Sequence, residues 1–148
     1  ICARVQEIKQ MSNTTLAKRF FEDMIGKADW SVADEILSPG VVMHHPSSPA
    51  PVAGRAAVTG FLAAFRSGFP DMNMQVENAF GDGEQIAVRW TMSGTQTAEL
   101  FGIPPSGKPV TVKGISVLRV AGGVVVEDWV AEDSLGLMVQ LGLVPAMA

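Results

Sequence analysis

The chain has 148 residues, of which 47% are hydrophobic, a net charge of -4 and a single cysteine, Cys2. That length suits one domain able to bury roughly two-thirds of its chain surface. The acidic balance and the lack of any Lys/Arg cluster argue against nucleic acid, no apolar run approaches the ~18 residues of a membrane span, and one cysteine excludes an internal disulfide while fitting a reducing cytoplasm.

Residues 1–10, ICARVQEIKQ, include Arg4, Glu7 and Lys9 and lack the continuous apolar core of a signal peptide. Met11 reads as a natural start, so 1–10 are expected to be an extension and 11–148 a single domain. Leu16, Phe20 and Met24 recur at i, i+4 and i+8 beside Ala17, Phe21 and Ile25, one wide helical stripe. Ser12 or Asn13 can cap it and Gly26 ends it. A second short helix carries Val32, Ala33, Ile36 and Leu37 and stops at Ser38-Pro39-Gly40. VVMHH at 41–45 is a short strand entering a proline-rich loop, and 54–69 is a third helix with Val58, Phe61, Leu62, Phe65 and Phe69 on one side. The second half alternates as strands. MNMQVENAF turns through Gly81-Asp82-Gly83 into EQIAVRWTMSGT, and VTVKGISVLRV turns through Gly122-Gly123 into VVVEDWVAED. Gly-Gly between such strands signals a two-residue hairpin. A final helical piece covers 134–141. Helices first and an antiparallel meander afterwards indicate an α+β fold with helices on one sheet face.

The last strand does not alternate cleanly. Its odd positions are Val125, Glu127, Trp129, Ala131 and Asp133, and its even positions are Val124, Val126, Asp128, Val130 and Glu132. A sheet with water on one face alternates apolar with polar, so something is expected to cover the second face, a second copy of the chain being the simplest candidate.

The stretches FFEDMIGKADWSVADEILSPGVVMHHP, FLAAFRSGFPDM, IAVRWTMSGT, FGIPPSGKPV and EDWVAEDSLGLMVQLG resemble the SnoaL-like polyketide cyclases, also called ester cyclases, of the nuclear-transport-factor-2-like (NTF2-like), cystatin-like superfamily. The resemblance covers nearly all of 15–142. It implies an NTF2-like cone, N-terminal helices packed on a strongly bent antiparallel sheet, a homodimer, an enclosed hydrophobic pocket and no cofactor. It also implies ring closure of a polyketide by intramolecular aldol condensation, with an aspartate as acid/base. By its place after the tryptophan of the last strand, that role falls on Asp133. The chain has no tyrosine, so no tyrosine tunes its pocket.

Asp133 has two readings: an N-cap of the last helix, or a carboxylate base strengthened by apolar walls such as Trp129, two pleats earlier on the same strand face. If it is only a cap, Asp128 or His45 is the next candidate. His44 and His45 are the only histidines. Neighbouring strand residues face opposite ways, so at most one of them enters the pocket, and the resemblance favours His45 as an assisting donor. Two adjacent histidines without a third ligand make no metal site. Phe65, Trp90 and Trp129 are candidate walls, and Arg89 could bind an anionic substrate or pair with Glu127 across strands. Residues 102–108 spell the start of a phosphate loop, but Pro104 and Pro105 have no N–H and Pro109 follows Lys108. The loop reads instead as a rigid lid with Phe101 and Ile103 facing the pocket. The expected activity is cofactor-free acid/base chemistry on a small hydrophobic carbonyl compound. The alternatives are hydrolysis or isomerisation in the same pocket, and a non-enzymatic small-molecule-binding dimer.

Overall fold

Ser12 begins the first helix by accepting a hydrogen bond from Thr15 N at 3.1 Å. In the computed structural model, which describes residues 12–146, α1 (Asn13–Lys18) runs directly into a π-helical stretch, Arg19–Gly26. The proposed extension at 1–10 lies outside the described residues. Next come α2 (Val32–Ile36), β1 (Leu37–His44), β2 (Val52–Ala53) and α3 (Arg55–Ser67). The long strands are β3 (Asn73–Gly81), β4 (Gln85–Thr95), β5 (Pro109–Ala121) and β6 (Val124–Glu132), and α4 (Ser134–Gln140) closes the chain.

The six strands form one sheet in the order β2-β1-β6-β5-β4-β3. The meander from β3 to β6 is antiparallel, as the hairpin signals require, and Gly122 and Gly123 both take positive φ at the two-residue turn. The joint between β1 and β6 is parallel, so the sheet is mixed rather than antiparallel throughout. The reason is topological: the helical segment and the three later strands separate β1 from β6, so no tight turn dictates their relative direction.

The helices cover one face. Phe20, Met24, Ile36 and Phe69 are each at most 1% exposed and pack with Met43, Val88, Met92 and Leu118 from the sheet. Burying an aromatic or aliphatic side chain of this size contributes about 1.5–3 kcal/mol, so this layer holds the helices over the sheet. Among the described residues no helix is long and apolar enough to cross a membrane.

Two bulges set which side chains face inward. In β3, Val76 pairs with Trp90 and Asn78 with Arg89, leaving Glu77 as the extra residue. In β6, Val125 pairs with Val120 and Glu127 with Arg119, leaving Val126 extra. An inserted residue reverses the side-chain alternation beyond it. Val125 therefore faces the core, and after the bulge it is Asp128, Val130 and Glu132 that do so. Glu127, Trp129, Ala131 and Asp133 face out.

Candidate active site

The carboxyl of Asp128 is carried into the interior by the β6 bulge. Its neighbours on the flanking strands are Met43 and Leu118, both fully buried. Asp128 itself is 2% exposed, and its Oδ1 has no hydrogen-bond partner among the described residues. Burial without compensation penalises the charged form, and desolvation pushes its pKa from the usual 3.8 up to about 8. At neutral pH this side chain is a carboxylic acid with a proton to give.

Asp128 lines a cavity of about 50 Å³ between the helical layer and the sheet. That volume is large enough to admit water. The walls are largely apolar, among them Phe21, Phe65, Met74 and Trp90. Met72, Met74 and Met92 are unbranched and can re-rotate to admit a larger occupant.

Two further ionisable groups reach the same cavity. Glu132 lies two pleats beyond Asp128 on the inner face, and its side chain is 4% exposed. His45, just past the end of β1, is 6% exposed in its side chain and places Nε2 3.5 Å from Glu132 Oε1. Ser47 N donates to His45 Nδ1 at 3.1 Å. That bond fixes the neutral ring with its proton on Nε2, toward Glu132. Phe61 and Phe65 hold the ring from the side, with centroids 4.8 Å and 6.3 Å away.

The opposite wall is built by a glycine. Trp90 stands across from Gly114 in the β4–β5 register, and a Cβ at Gly114 would come within 2.2 Å of the indole ring. The ring lies over the glycine, stacks on Phe21 at 6.1 Å, and donates from Nε1 to Ser116 Oγ at 3.0 Å.

Several residues singled out from the sequence lie elsewhere. Asp133 caps α4, where its Oδ1 accepts from Gly136 N at 2.8 Å, and it is exposed on the outer side of the sheet. Trp129 shares that outer face and stacks on His44 at 5.5 Å, so neither lines the cavity. The expected ion pair between Arg89 and Glu127 does not form, because β4 and β6 are separated by β5. Glu127 instead meets His44 Nε2 at 2.6 Å and Arg119 at 3.1 Å. Its carboxyl is held below its usual range, chiefly by the His44 hydrogen bond and further by Arg119. Arg89 is exposed on the outer face opposite Ile115.

The loop after β4 is pegged by Gln96, which is fully buried. Its Nε2 donates to the carbonyls of Ala98, Ile103 and Pro104, and its Oε1 accepts from Ser106 N. Phe101, at φ +44° and 53% exposed, leans on Phe61 and Phe65 with centroids 5.5 Å and 6.2 Å away. It therefore backs the pocket wall without lining the cavity, and Ile103 packs half-buried against the core. Of the residues expected at the site, His45, Phe65 and Trp90 meet at the cavity. Glu132 and Ser116 join them without having been signalled by any motif, and Asp128 takes the central place.

A model of the SnoaL-like polyketide cyclase family matches residues 15–141. Aklanonic acid methyl ester cyclase DauD of Streptomyces sp. (strain C5) is 27% identical over 113 residues, covering 75% of this chain and 67% of that protein. Aklanonic acid methyl ester cyclase DnrD of Streptomyces peucetius is 29% identical over 110 residues, covering 73% and 72%. Among solved structures, a SnoaL-like protein from Jannaschia sp. CCS1 superposes with a TM-score of 0.81 at 29% identity, covering 90% of this chain and 93% of that one. TsrD from Streptomyces laurentii shares the fold, with a TM-score of 0.78 over 88% and 95% of the two chains, at 24% identity. The α+β architecture is the NTF2-like one that the resemblance implies. With helices over an unclosed six-stranded sheet and a family match across most of its length, this chain belongs to the SnoaL-like polyketide cyclases.

Proposed function

We propose that the chain performs cofactor-free acid/base chemistry on a small hydrophobic carbonyl compound, an intramolecular aldol closure or a related proton transfer, in the cavity around Asp128. The observation that carries this reading is the unpartnered, buried Asp128 carboxyl in an apolar chamber that also receives Glu132 and His45. A carrier for an apolar ligand has no use for two carboxyl groups there, and leaving one of them without a partner costs stability.

The two carboxyl groups suit opposite roles. Glu132, beside the His45 Nε2–H, takes a proton from the carbon next to one carbonyl. The enolate carbon so formed bonds to the carbon of a second carbonyl, whose π electrons move to its oxygen. Asp128 gives its proton to that oxygen. The product is an isomer of the substrate, and the proton on Glu132 returns to Asp128 through water before the next turnover. A carboxyl without a partner and a second carboxyl beside a histidine, both lining one cavity, supply the paired acid and base that such a closure needs. Asp133, bound to its helix terminus, takes no part. A multi-ring substrate exceeds the cavity's present 50 Å³, so its entry requires new rotamers at Met72, Met74 and Met92.

The same reading includes a homodimer joined through the outer sheet face, where Ile115 and Trp129 remain 51% and 37% exposed. Light scattering at micromolar concentration is expected to give twice the 15.7 kDa chain mass. For the chemistry, heptane-2,6-dione is the probe, since its aldol closure yields a six-membered ring that NMR resolves. Wild-type protein is expected to accelerate closure, and Asp128→Asn and Glu132→Gln each to lower the rate by at least ~10²-fold. Closure at the buffer rate with wild type, or full activity in both variants, would refute the assignment.

A further inference from the structure

Ser116 is fully buried, in the middle of β5, between Val88 and Val130 on the neighbouring strands. Its hydroxyl accepts the Trp90 indole N–H at 3.0 Å and makes no other side-chain hydrogen bond among the described residues. A hydroxyl that accepts along one lone pair must aim its own proton elsewhere. Ser116 and Trp90 both line the cavity that Asp128 lines, so an occupant's acceptor atom can meet that proton there. The indole, pinned over Gly114 and against Phe21, keeps the hydroxyl from rotating its proton toward the ring N–H.

We propose that the Ser116 hydroxyl, oriented by Trp90, is a second donor to the carbonyl oxygen that Asp128 receives, so that the cavity selects ketones through a pair of convergent O–H groups. The proposal rests on the reading of the cavity as a carbonyl site and adds a residue to it. A hydroxyl present only to satisfy the Trp90 N–H would be indifferent to what occupies the cavity. A donor to the substrate would polarise the bound carbonyl, and its preorganised O–H would cost no rearrangement when negative charge develops on oxygen.

The test uses acetone labelled with ¹³C at the carbonyl, followed by infrared difference spectroscopy on wild type, Ser116→Ala, Ser116→Cys and Asp128→Asn. Binding to wild type is expected to lower the carbonyl stretching frequency. Ser116→Ala should return it part of the way and weaken binding about three- to tenfold, the scale of one lost hydrogen bond. Ser116→Cys keeps an acceptor for Trp90 with a weaker donor, and should fall between the two. It carries the test if the alanine variant folds poorly. If acetone shows no saturable frequency shift with wild type, the inference falls together with the carbonyl-site reading. If the shift changes in Asp128→Asn but is untouched in both Ser116 variants, the role of Ser116 is overturned and that of Asp128 stands.

Discussion

Replacing Asp128 with Asn should change how stability responds to pH more than it changes stability itself. The carboxyl titrates near 3.8 when the chain is unfolded and at about 8 when folded. Between those values the folded chain holds one more proton than the unfolded chain, so the free energy of unfolding falls as pH rises; below about 4 and above about 8 the two states match and the dependence from this group vanishes. Each pKa unit corresponds to about 1.36 kcal/mol, so the interval from pH 5 to pH 8 should cost the wild type about 4 kcal/mol. For a chain of this size that is on the order of 10 °C in Tm. Asn has nearly the same shape and no charge to gain. Its buried amide has an unpaired-group cost of its own, but that cost is independent of pH. The measurement is urea unfolding of both proteins at half-unit steps from pH 5 to pH 8.5, read as the difference between them, which cancels every titration the two share. The difference should move in favour of Asp128→Asn as pH rises and level off above pH 8. A difference that stays flat to within ~0.5 kcal/mol would mean that Asp128 is ionised at neutral pH in the folded protein, and the assignment of Asp128 as proton donor would fail with it.

Asp133→Asn should keep the α4 cap and leave both Tm and turnover near wild type, while Asp133→Ala should lose ~1 kcal/mol; a hundredfold loss of turnover in Asp133→Asn would return the catalytic role to that residue. Gly114→Ala places a methyl group in the Trp90 ring and should cost ~1–3 kcal/mol as overpacking, with a shift in tryptophan fluorescence; a neutral result in chemical denaturation would show that the ring is free to move. Gln96→Ala removes four hydrogen bonds that hold the loop from Ala98 to Ser106, and hydrogen exchange there should speed up well before global unfolding. Phe101→Ala, at a half-exposed position, should cost less than ~1 kcal/mol yet weaken ketone binding by loosening Phe65; a loss of ~3–5 kcal/mol would mark Phe101 as core.

Most elements could be read from the sequence because their signals are local. The stripe of Leu16, Phe20 and Met24, the Gly122-Gly123 turn and the break at Gly81-Asp82-Gly83 each depend on a few adjacent residues. The site was harder, because its composition depends on register. Trp129 and Asp133 do share a face, as strand alternation requires, but the extra residue at Val126 turns that face outward. The sequence holds a trace of this in the apolar run Val124-Val125-Val126 ahead of Asp128, which leaves neither parity uniformly polar. A covering partner and a bulge both account for such a pattern, and only the pairing of β5 with β6 reveals the bulge. Ser116 was invisible for a different reason. A serine in a strand has no signature until the tryptophan across the sheet is seen to donate to it.

The parallel joint between β1 and β6 has a consequence for how the protein reaches its native state. The meander can assemble by successive hairpins, each closing a short loop. The contact between His44 and Glu127 joins residues 83 apart in the chain, and His45 with Glu132 spans a similar loop. Entropy makes closures of that length late and slow relative to local pairing. On a sheet not yet covered by β1 and the helices, Asp128 would be hydrated and would have no reason to hold its proton. Burial beneath the helices and between β1 and β5 is what raises this carboxyl's pKa, so its acid character exists only in the molecule whose long-range packing is complete.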